Sequence, residues 1–278
     1  MVLEGAARVL QSSEAMNLQV SNGVSFYSFR ILEPWPDLTQ GAFTRVGGVS
    51  EPPYDSLNIS FAVRDDPYRV ELNRELMARA VGWDPARIVS ARQVHGRRAV
   101  AVGREMIGMP DLPDTDALVT DEPGVLLLLK FADCVPIVLW DPVRRVVALV
   151  HAGWRGTVLA APAAALELMQ ERYNTRPSDV LAGIGPSIGP CCYEVGAEVV
   201  GAASRVFAGT SVLQEEDGSY RFDLWSANAE TLMRAGVGEE NIAVAGICTR
   251  CRHDLFFSHR AAGGLAGRFG VVAGIVDE

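Results

Sequence analysis

The sequence predicts an α+β (mixed α/β) fold in a single domain. Three observations lead there. Between residues 88 and 150 the chain carries a succession of short apolar runs, nearly continuous rather than alternating, as in strands covered on both faces. Helical segments with recognisable caps lie before and after that block. No Pro/Ser linker, internal repeat or low-complexity tract divides the chain, while loops of unusual composition occur early, in the middle and late. One domain with a site assembled from across the chain follows.

Residues 1–15 carry no core pattern and read as a frayed lead, leaving 16–278 as the single domain. Val24–Phe29 (VSFYSF) alternates as a strand, and 41–45 reads as a second one closing on a Gly47–Gly48 turn. Residues 46–60 (VGGVSEPPYDSLNIS) form a long polar loop on turn chemistry, a length uncommon in compact domains unless it serves function. Asp66 is an N-cap with Pro67 at the first helical position; Val70, Met77 and Val81 lie near one face, and Gly82 supplies the stop. Strand-like runs follow at 88–102, 117–120, 125–130, 135–140 and 146–150, the last two joined by a hairpin-length turn, Asp141-Pro-Val-Arg-Arg145.

Residues 157–173 read as an Ala/Leu-rich helix in which Pro162 marks a kink or a first turn. A strand at 180–185 enters the Gly/Pro loop Pro186-Ser-Ile-Gly-Pro-Cys-Cys192. Helices follow at 196–207 and from Phe222-Asp-Leu-Trp225 through residue 235, and strands at 242–247 and 270–276 close the chain.

The chain has 278 residues, 49 % apolar and 21 % charged, enough to bury a sizeable core. A formal net charge of −9 disfavours a broad nucleic-acid-binding face but allows a small anion held by one or two arginines. No run reaches the roughly 18 apolar residues that span a bilayer. The first residues lack the pattern of a secretory signal, and no obligate protein partner is evident. Five cysteines, an odd number lying apart except for Cys191–Cys192, are not a disulfide framework. A reducing, cytoplasmic setting is the expectation.

The residues best suited to chemistry are His95, Cys134 and His151, each following or ending a β-run. Two imidazoles and one thiolate suit Zn²⁺ with a fourth position left for water or substrate, the pattern of a catalytic zinc site. The same residues also fit a metal-free reading, with Cys134 as nucleophile, His151 as base, and Asp133 or another polar group orienting them. A bland reading, an inert core thiol and two hydrogen-bonded histidines, stands beside both. Cys248-Thr-Arg-Cys251 is a lone CxxC without an obvious second pair, since adjacent Cys191 and Cys192 do not have that spacing. Neither group is expected to bind metal. Arg45, beside the Gly47–Gly48 turn, and Arg260 are candidate clamps for a phosphate or carboxylate. Asp114-Thr-Asp-Ala117 reads as a charged turn.

Eight motifs in order carry a resemblance across most of the chain, from about residue 41 to 260. They are Thr44-Arg-Val-Gly-Gly-Val-Ser50, Ser56-Leu-Asn-Ile-Ser60, Gln93-Val-His-Gly96, Asp114-Thr-Asp-Ala-Leu-Val-Thr120, Ala132-Asp-Cys-Val-Pro-Ile137, His151-Ala-Gly-Trp-Arg-Gly-Thr157, Gly185-Pro-Ser-Ile-Gly-Pro-Cys-Cys-Tyr-Glu194, and Cys248-Thr249 with Phe256-Phe-Ser-His-Arg260. Together they resemble the laccase-domain, or polyphenol oxidase, family, whose members are also called purine nucleoside phosphorylases and peptidoglycan editing factors. His259 departs from the family motif, which usually has an aromatic residue before the arginine.

The resemblance implies one domain with mixed β-sheet layers packed between helices, and a zinc on His95, Cys134 and His151. Copper competes for the same donors. It further implies transferase and hydrolase chemistry: phosphorolysis of adenosine, inosine and methylthioadenosine, with adenosine deamination beside it. Purine nucleosides and phosphate are then the partners, and nucleic acid and membrane are not. In that scheme Arg45 or Arg260 holds phosphate, while Asn58 and Gln93 donate to substrate. An amidase editing peptidoglycan precursors with the same zinc and cysteine is the competing enzyme class, and a metal- or redox-sensing protein the non-enzymatic one. A multicopper relay is disfavoured by counting. The chain has four histidines, and two of them spent on one centre leave only His253 and His259.

Overall fold

The computed structural model describes residues 14–277, so most of the expected lead, 1–13, lies outside the described residues. Ala15 is not frayed. It is buried, and its carbonyl accepts the amide of Arg30 at 3.0 Å.

In chain order the elements are β1 (Met16–Ser21), β2 (Val24–Phe29), β3 (Leu38–Phe43), α1 (Pro67–Ala80), β4 (Ile88–Ser90), β5 (Ala99–Ala101), β6 (Ala117–Thr120), β7 (Leu126–Phe131), β8 (Val135–Asp141) and β9 (Val146–Ala152). There follow α2 (Trp154–Val158), α3 (Ala161–Tyr173), β10 (Leu181–Ile184), β11 (Glu194–Val195), α4 (Ala197–Val206), β12 (Leu213–Glu216), β13 (Ser219–Phe222), α5 (Leu224–Arg234), β14 (Ile242–Val244) and β15 (Phe269–Ile275). Two mixed sheets of six strands, β1-β2-β3-β15-β7-β4 and β14-β10-β8-β9-β6-β5, are joined by a small antiparallel one, β11-β13-β12.

The period of two along each strand builds the layers. In β7, Leu126 and Leu128 pack with Met77 of α1, while Leu127, Leu129 and Phe131 face the other way, into the space between the six-stranded sheets. There they meet Val138 and Trp140 of β8 and Val147 and Leu149 of β9. The alternate residues, Ile137, Leu139, Ala148 and Val150, pack with Leu166 and Met169 of α3 and Leu232 of α5. The order is helix, sheet, sheet, helices: the expected β-layers packed between helices. Strands covered on both faces read as continuous apolar runs for this reason.

Several boundaries differ from expectation. Residues 88–102 are not one run. β4 and β5 belong to different sheets, and the polar stretch 91–98 crosses between them. The helix expected at 157–173 is two helices broken at Ala160, whose φ is +57°. Pro162 sits in the first turn of α3, where its missing N–H is not needed. The strand at 242–247 ends at Val244. β1, an edge strand with mostly half-buried or exposed residues, and the β12–β13 hairpin were not foreseen, because they lack an apolar face. The hairpin had a local signal in Asp217-Gly218, whose φ values of +50° and +76° are those of a two-residue turn. No helix among the described residues is long and apolar enough to cross a membrane.

Candidate functional site

His95, Cys134 and His151 come together where the chain crosses between the two large sheets. The stretch 91–98 runs from β4 in one sheet to β5 in the other and carries His95. Residues 132–134 run from β7 in the first sheet to β8 in the second and carry Cys134. His151 lies near the end of β9, directly opposite Pro136 in the β8–β9 ladder. One ligand atom from each of the three lies within 4.8 Å of the others. The crossings are sharp: His95 and Asp133 both adopt positive φ, +62° and +85°, which non-glycine residues take only when the surroundings hold them.

Asp116 does much of that holding. It extends the β6–β9 register by one residue beyond the Ala117–Val150 pair, which brings it against His151. Its Oδ1 lies 2.8 Å from His151 Nδ1. The same carboxylate accepts the backbone amides of His95 at 2.9 Å and Gly96 at 2.8 Å. One fully buried carboxylate therefore fixes the ring of one histidine and the backbone of the other. A carboxylate behind an imidazole selects the tautomer that leaves Nε2 free and makes it more basic, a common support for metal-ligating histidines. Asp116 was missed because Asp114-Thr-Asp-Ala117 reads locally as a turn; the register that pairs residue 116 with His151 is the missing signal.

Charge at the centre is set by the cluster. Burial alone pushes the Cys134 thiol up, but the His151 and His95 imidazoles outweigh it and bring it down to about 6. Burial disfavours the His151 cation, yet the Cys134 thiolate and the Asp116 carboxylate together hold its pKa above the ordinary value. The centre thus keeps a thiolate at neutral pH, as metal ligation and nucleophilic attack both require. The group that orients His151 is Asp116 and not Asp133. Asp133 instead accepts Thr249 Oγ1 at 2.7 Å and the Arg260 amide at 2.7 Å, tying the β7–β8 crossing to the late loop.

Gly153, at the start of α2, leaves the room these side chains need. A Cβ there would stand 2.9 Å from Cys134 Sγ and 3.1 Å from His95 Cδ2.

A cavity of about 460 Å³ opens over the three residues. Arg260 and Arg268 line it, and among the described residues the guanidinium of neither meets a carboxylate. The Arg260 guanidinium donates to the Glu194 carbonyl at 3.1 Å, and that of Arg268 to the carbonyls of Ala266 and Gly267. Burial lowers the Arg268 pKa, which means that its charge lacks full compensation. Two other cations on the wall are already paired: Lys130 with Asp111 at 2.6 Å and Arg92 with Asp114 at 2.8 Å. Tyr193 adds an aromatic face beneath Arg260. Its phenol is pushed up to about 12 by burial and so stays protonated. Arg268 was missed although it sits just before β15, at a strand end like the others.

The structure places the three other candidates differently from one another. Arg45 does not line this cavity. Its Nε donates to the Asp55 carbonyl at 2.7 Å, Nη2 pairs with Asp55 Oδ1 at 3.2 Å, and its guanidinium stacks on Phe257. It pins the 46–60 loop to the 253–257 segment. Asn58 is fully buried outside the cavity, donating to Asp65 at 2.8 Å and accepting the Arg268 amide at 2.9 Å, so it does not line the cavity. Gln93 does line the cavity, but its amide exchanges both hydrogen bonds with the backbone of Lys130 at 2.8 and 3.0 Å. That pair extends a sheet edge, and among the described residues the second Nε2 hydrogen meets no acceptor. One reading is corrected, that of the cysteines. Cys191, Cys192, Cys248 and Cys251 are not separate loop and core residues, because their sulfurs gather within 4.8 Å of one another.

The comparisons agree with this architecture. The family model described as multi-copper polyphenol oxidoreductase laccase matches residues 39–276. "Purine nucleoside phosphorylase YlmD" of Geobacillus stearothermophilus is 39 % identical over 254 residues, covering 88 % of this chain and 93 % of that protein. "Purine nucleoside phosphorylase" of Bacteroides thetaiotaomicron is 32 % identical over 268 residues, covering 93 % and 98 %. Among solved structures, YlmD from Geobacillus stearothermophilus superposes with a TM-score of 0.89 at 36 % identity, over 95 % of this chain and 100 % of that one. The hypothetical protein YfiH of Bacillus licheniformis gives 0.87 at 34 % identity, over 93 % and 98 %.

Proposed function

The chain belongs to the multi-copper polyphenol oxidoreductase laccase family, and from that premise we propose that it is a zinc-dependent purine nucleoside phosphorylase that also deaminates adenosine. The observation that carries the reading is the meeting, in one cavity, of a His–Cys–His donor set with two arginines that lack a carboxylate partner among the described residues. The donors fit zinc. Two imidazoles and a thiolate are its preferred ligand types, the thiol is already acidic, and Gly153 leaves the sulfur and the His95 ring unobstructed. Zinc bound by His95, Cys134 and His151 would act as a Lewis acid toward a substrate oxygen or nitrogen.

The chain's own residues do the rest. Arg260 and Arg268 draw phosphate into the cavity by charge-assisted hydrogen bonds. Tyr193 offers a flat apolar face for a purine. Asp116 keeps His151 in one tautomer throughout. In phosphorolysis a phosphate oxygen bonds to the sugar C1′ as the bond from C1′ to the purine nitrogen breaks, and that nitrogen takes up a proton. In deamination a water oxygen bonds to the purine carbon that carries the amine, the amine takes up a proton and leaves as ammonia, and phosphate plays no part.

Incubating the protein with adenosine, with and without phosphate, tests this. Adenine and a pentose 1-phosphate should appear only with phosphate, and inosine in both reactions. Turnover of an aminoacyl muramic acid precursor with no change in any nucleoside would replace this reading with that of an amidase.

A further inference from the structure

The strongest feature outside the cavity is the group of four cysteines that local spacing had set aside. Two turns face one another. The first, 189–193, is closed by the Cys192 and Tyr193 amides donating to the Gly189 carbonyl at 2.9 and 3.0 Å, and carries Cys191 and Cys192. The second, 248–252, is closed by the Arg252 amide donating to the Cys248 carbonyl at 2.9 Å, and carries Cys248 and Cys251. An isolated parallel bridge between Ser187 and Cys248 holds the turns in register.

We propose that Cys191, Cys192, Cys248 and Cys251 form a second metal site, a tetrathiolate zinc centre separate from the His95–Cys134–His151 group. The first support is spacing. A tetrahedral zinc with Zn–S bonds of about 2.3 Å sets its sulfurs about 3.8 Å apart. Cys251 Sγ lies 3.7 Å from Cys191 Sγ and 3.4 Å from Cys192 Sγ, and all four sulfurs lie within 4.8 Å of one another. These separations are well beyond the roughly 2.05 Å of a disulfide.

The second support is the shell around the sulfurs. Cys248 Sγ accepts the Gly189 amide at 3.3 Å, which ties the sulfur of the second turn to the first. Arg221 and Arg250 donate to the carbonyls of Cys191 and Cys192, placing positive charge beside a centre whose four thiolates and one Zn²⁺ sum to −2. Cys191 and Cys251 are exposed, so the ion can enter from solvent.

The site has a clear place in the molecule. Tyr193 of the cavity wall follows Cys192 directly, and Thr249, which holds Asp133, follows Cys248. A metal clip between the turns fixes one wall of the cavity without taking part in its chemistry.

Cobalt spectroscopy on Cys134→Ala tests the proposal, because that change dismantles the first centre and leaves all four cysteines of the second. After reduction, stripping and loading with Co²⁺, Cys134→Ala should bind about one equivalent with the intense charge-transfer and visible bands of a tetrahedral tetrathiolate. Adding Zn²⁺ should bleach them. The bands should vanish when Cys248→Ser and Cys251→Ser are added, with far-UV circular dichroism reporting whether the fold survives. If that variant fails to fold, the spectrum of Cys134→Ala itself still decides. Failure to bind Co²⁺ while four thiols titrate freely would overturn the proposal. So would cross-linked peptides joining 191 or 192 to 251 in protein alkylated at the moment of lysis.

Discussion

Asp116 Oδ1 lies 2.8 Å from His151 Nδ1, and the same carboxylate accepts the amide of His95 at 2.9 Å. Two candidate ligands far apart in sequence are thus oriented by one buried side chain that does not line the cavity. Asp116→Asn should keep the fold and all three ligands but lose about 10- to 100-fold in zinc affinity. Replacing His95, Cys134 or His151 by Ala should abolish zinc at this centre. Competition with a chromophoric chelator reads both effects. Unchanged affinity in Asp116→Asn would leave the aspartate no positioning role.

Gly153→Ala adds only a methyl group, at a φ of −73° that any residue adopts. Its Cβ would stand 2.9 Å from Cys134 Sγ. The expected result is a fall of about tenfold or more in zinc affinity and in turnover, with a circular dichroism spectrum like the parent's. Normal affinity would show that the sulfur has room to move aside.

The phosphate assignment rests on Arg260 and Arg268. Changing either to Ala should lower kcat/KM for phosphate by about 10- to 100-fold, since a lost charge-assisted contact costs about 1.5–3 kcal/mol. Deamination and zinc content should change little. Arg45→Ala should instead lower thermal stability and leave the phosphate dependence intact, because its guanidinium is committed to Asp55, His253 and Phe257. Equal loss of both activities in Arg260→Ala and Arg268→Ala would remove the phosphate clamp from the scheme.

In metal-stripped protein, Cys134 should react with iodoacetamide as a thiolate down to about pH 6, where an ordinary cysteine is protonated and slow. The sign follows from the cluster. The thiolate is present above its own pKa and is lost as pH falls through it. Asp116→Asn weakens the His151 cation that stabilises the thiolate, so the midpoint should move upward. The rate of Cys134 alkylation against pH in the two proteins reads this. A midpoint in the parent near the ordinary cysteine value would mean that the imidazoles do not offset burial.

Much of the fold is legible in the sequence, because its signals are local. Asp66 caps α1 by accepting the Tyr68 amide, and Pro67 opens the helix, as their types require. The unbroken apolar runs of β7, β8 and β9 announce strands covered on both faces. His95, Cys134 and His151 stand out because strand ends, residue type and the order of the motifs all mark them. Arg45, Asn58 and Asp116 could not be placed this way. Whether an arginine faces a cavity or a neighbouring carbonyl depends on which loops meet. Whether an aspartate in a turn lies against a histidine depends on strand register.

The cysteines mark the boundary most sharply. From the sequence alone, Cys248-Thr-Arg-Cys251 has no partner, because Cys191 and Cys192 lie some sixty residues earlier and lack the spacing of a ligand pair. The sequence by itself determined that there are five thiols, which of them are adjacent, and that two sit in a CxxC turn. Only the tertiary structure decided that β10 and β14 run parallel as neighbours, so that the turns beyond their ends emerge side by side and four sulfurs converge. A ligand set needs atoms within a few ångströms, and that distance is set by sheet pairing, which no local pattern around residue 191 or 248 contains.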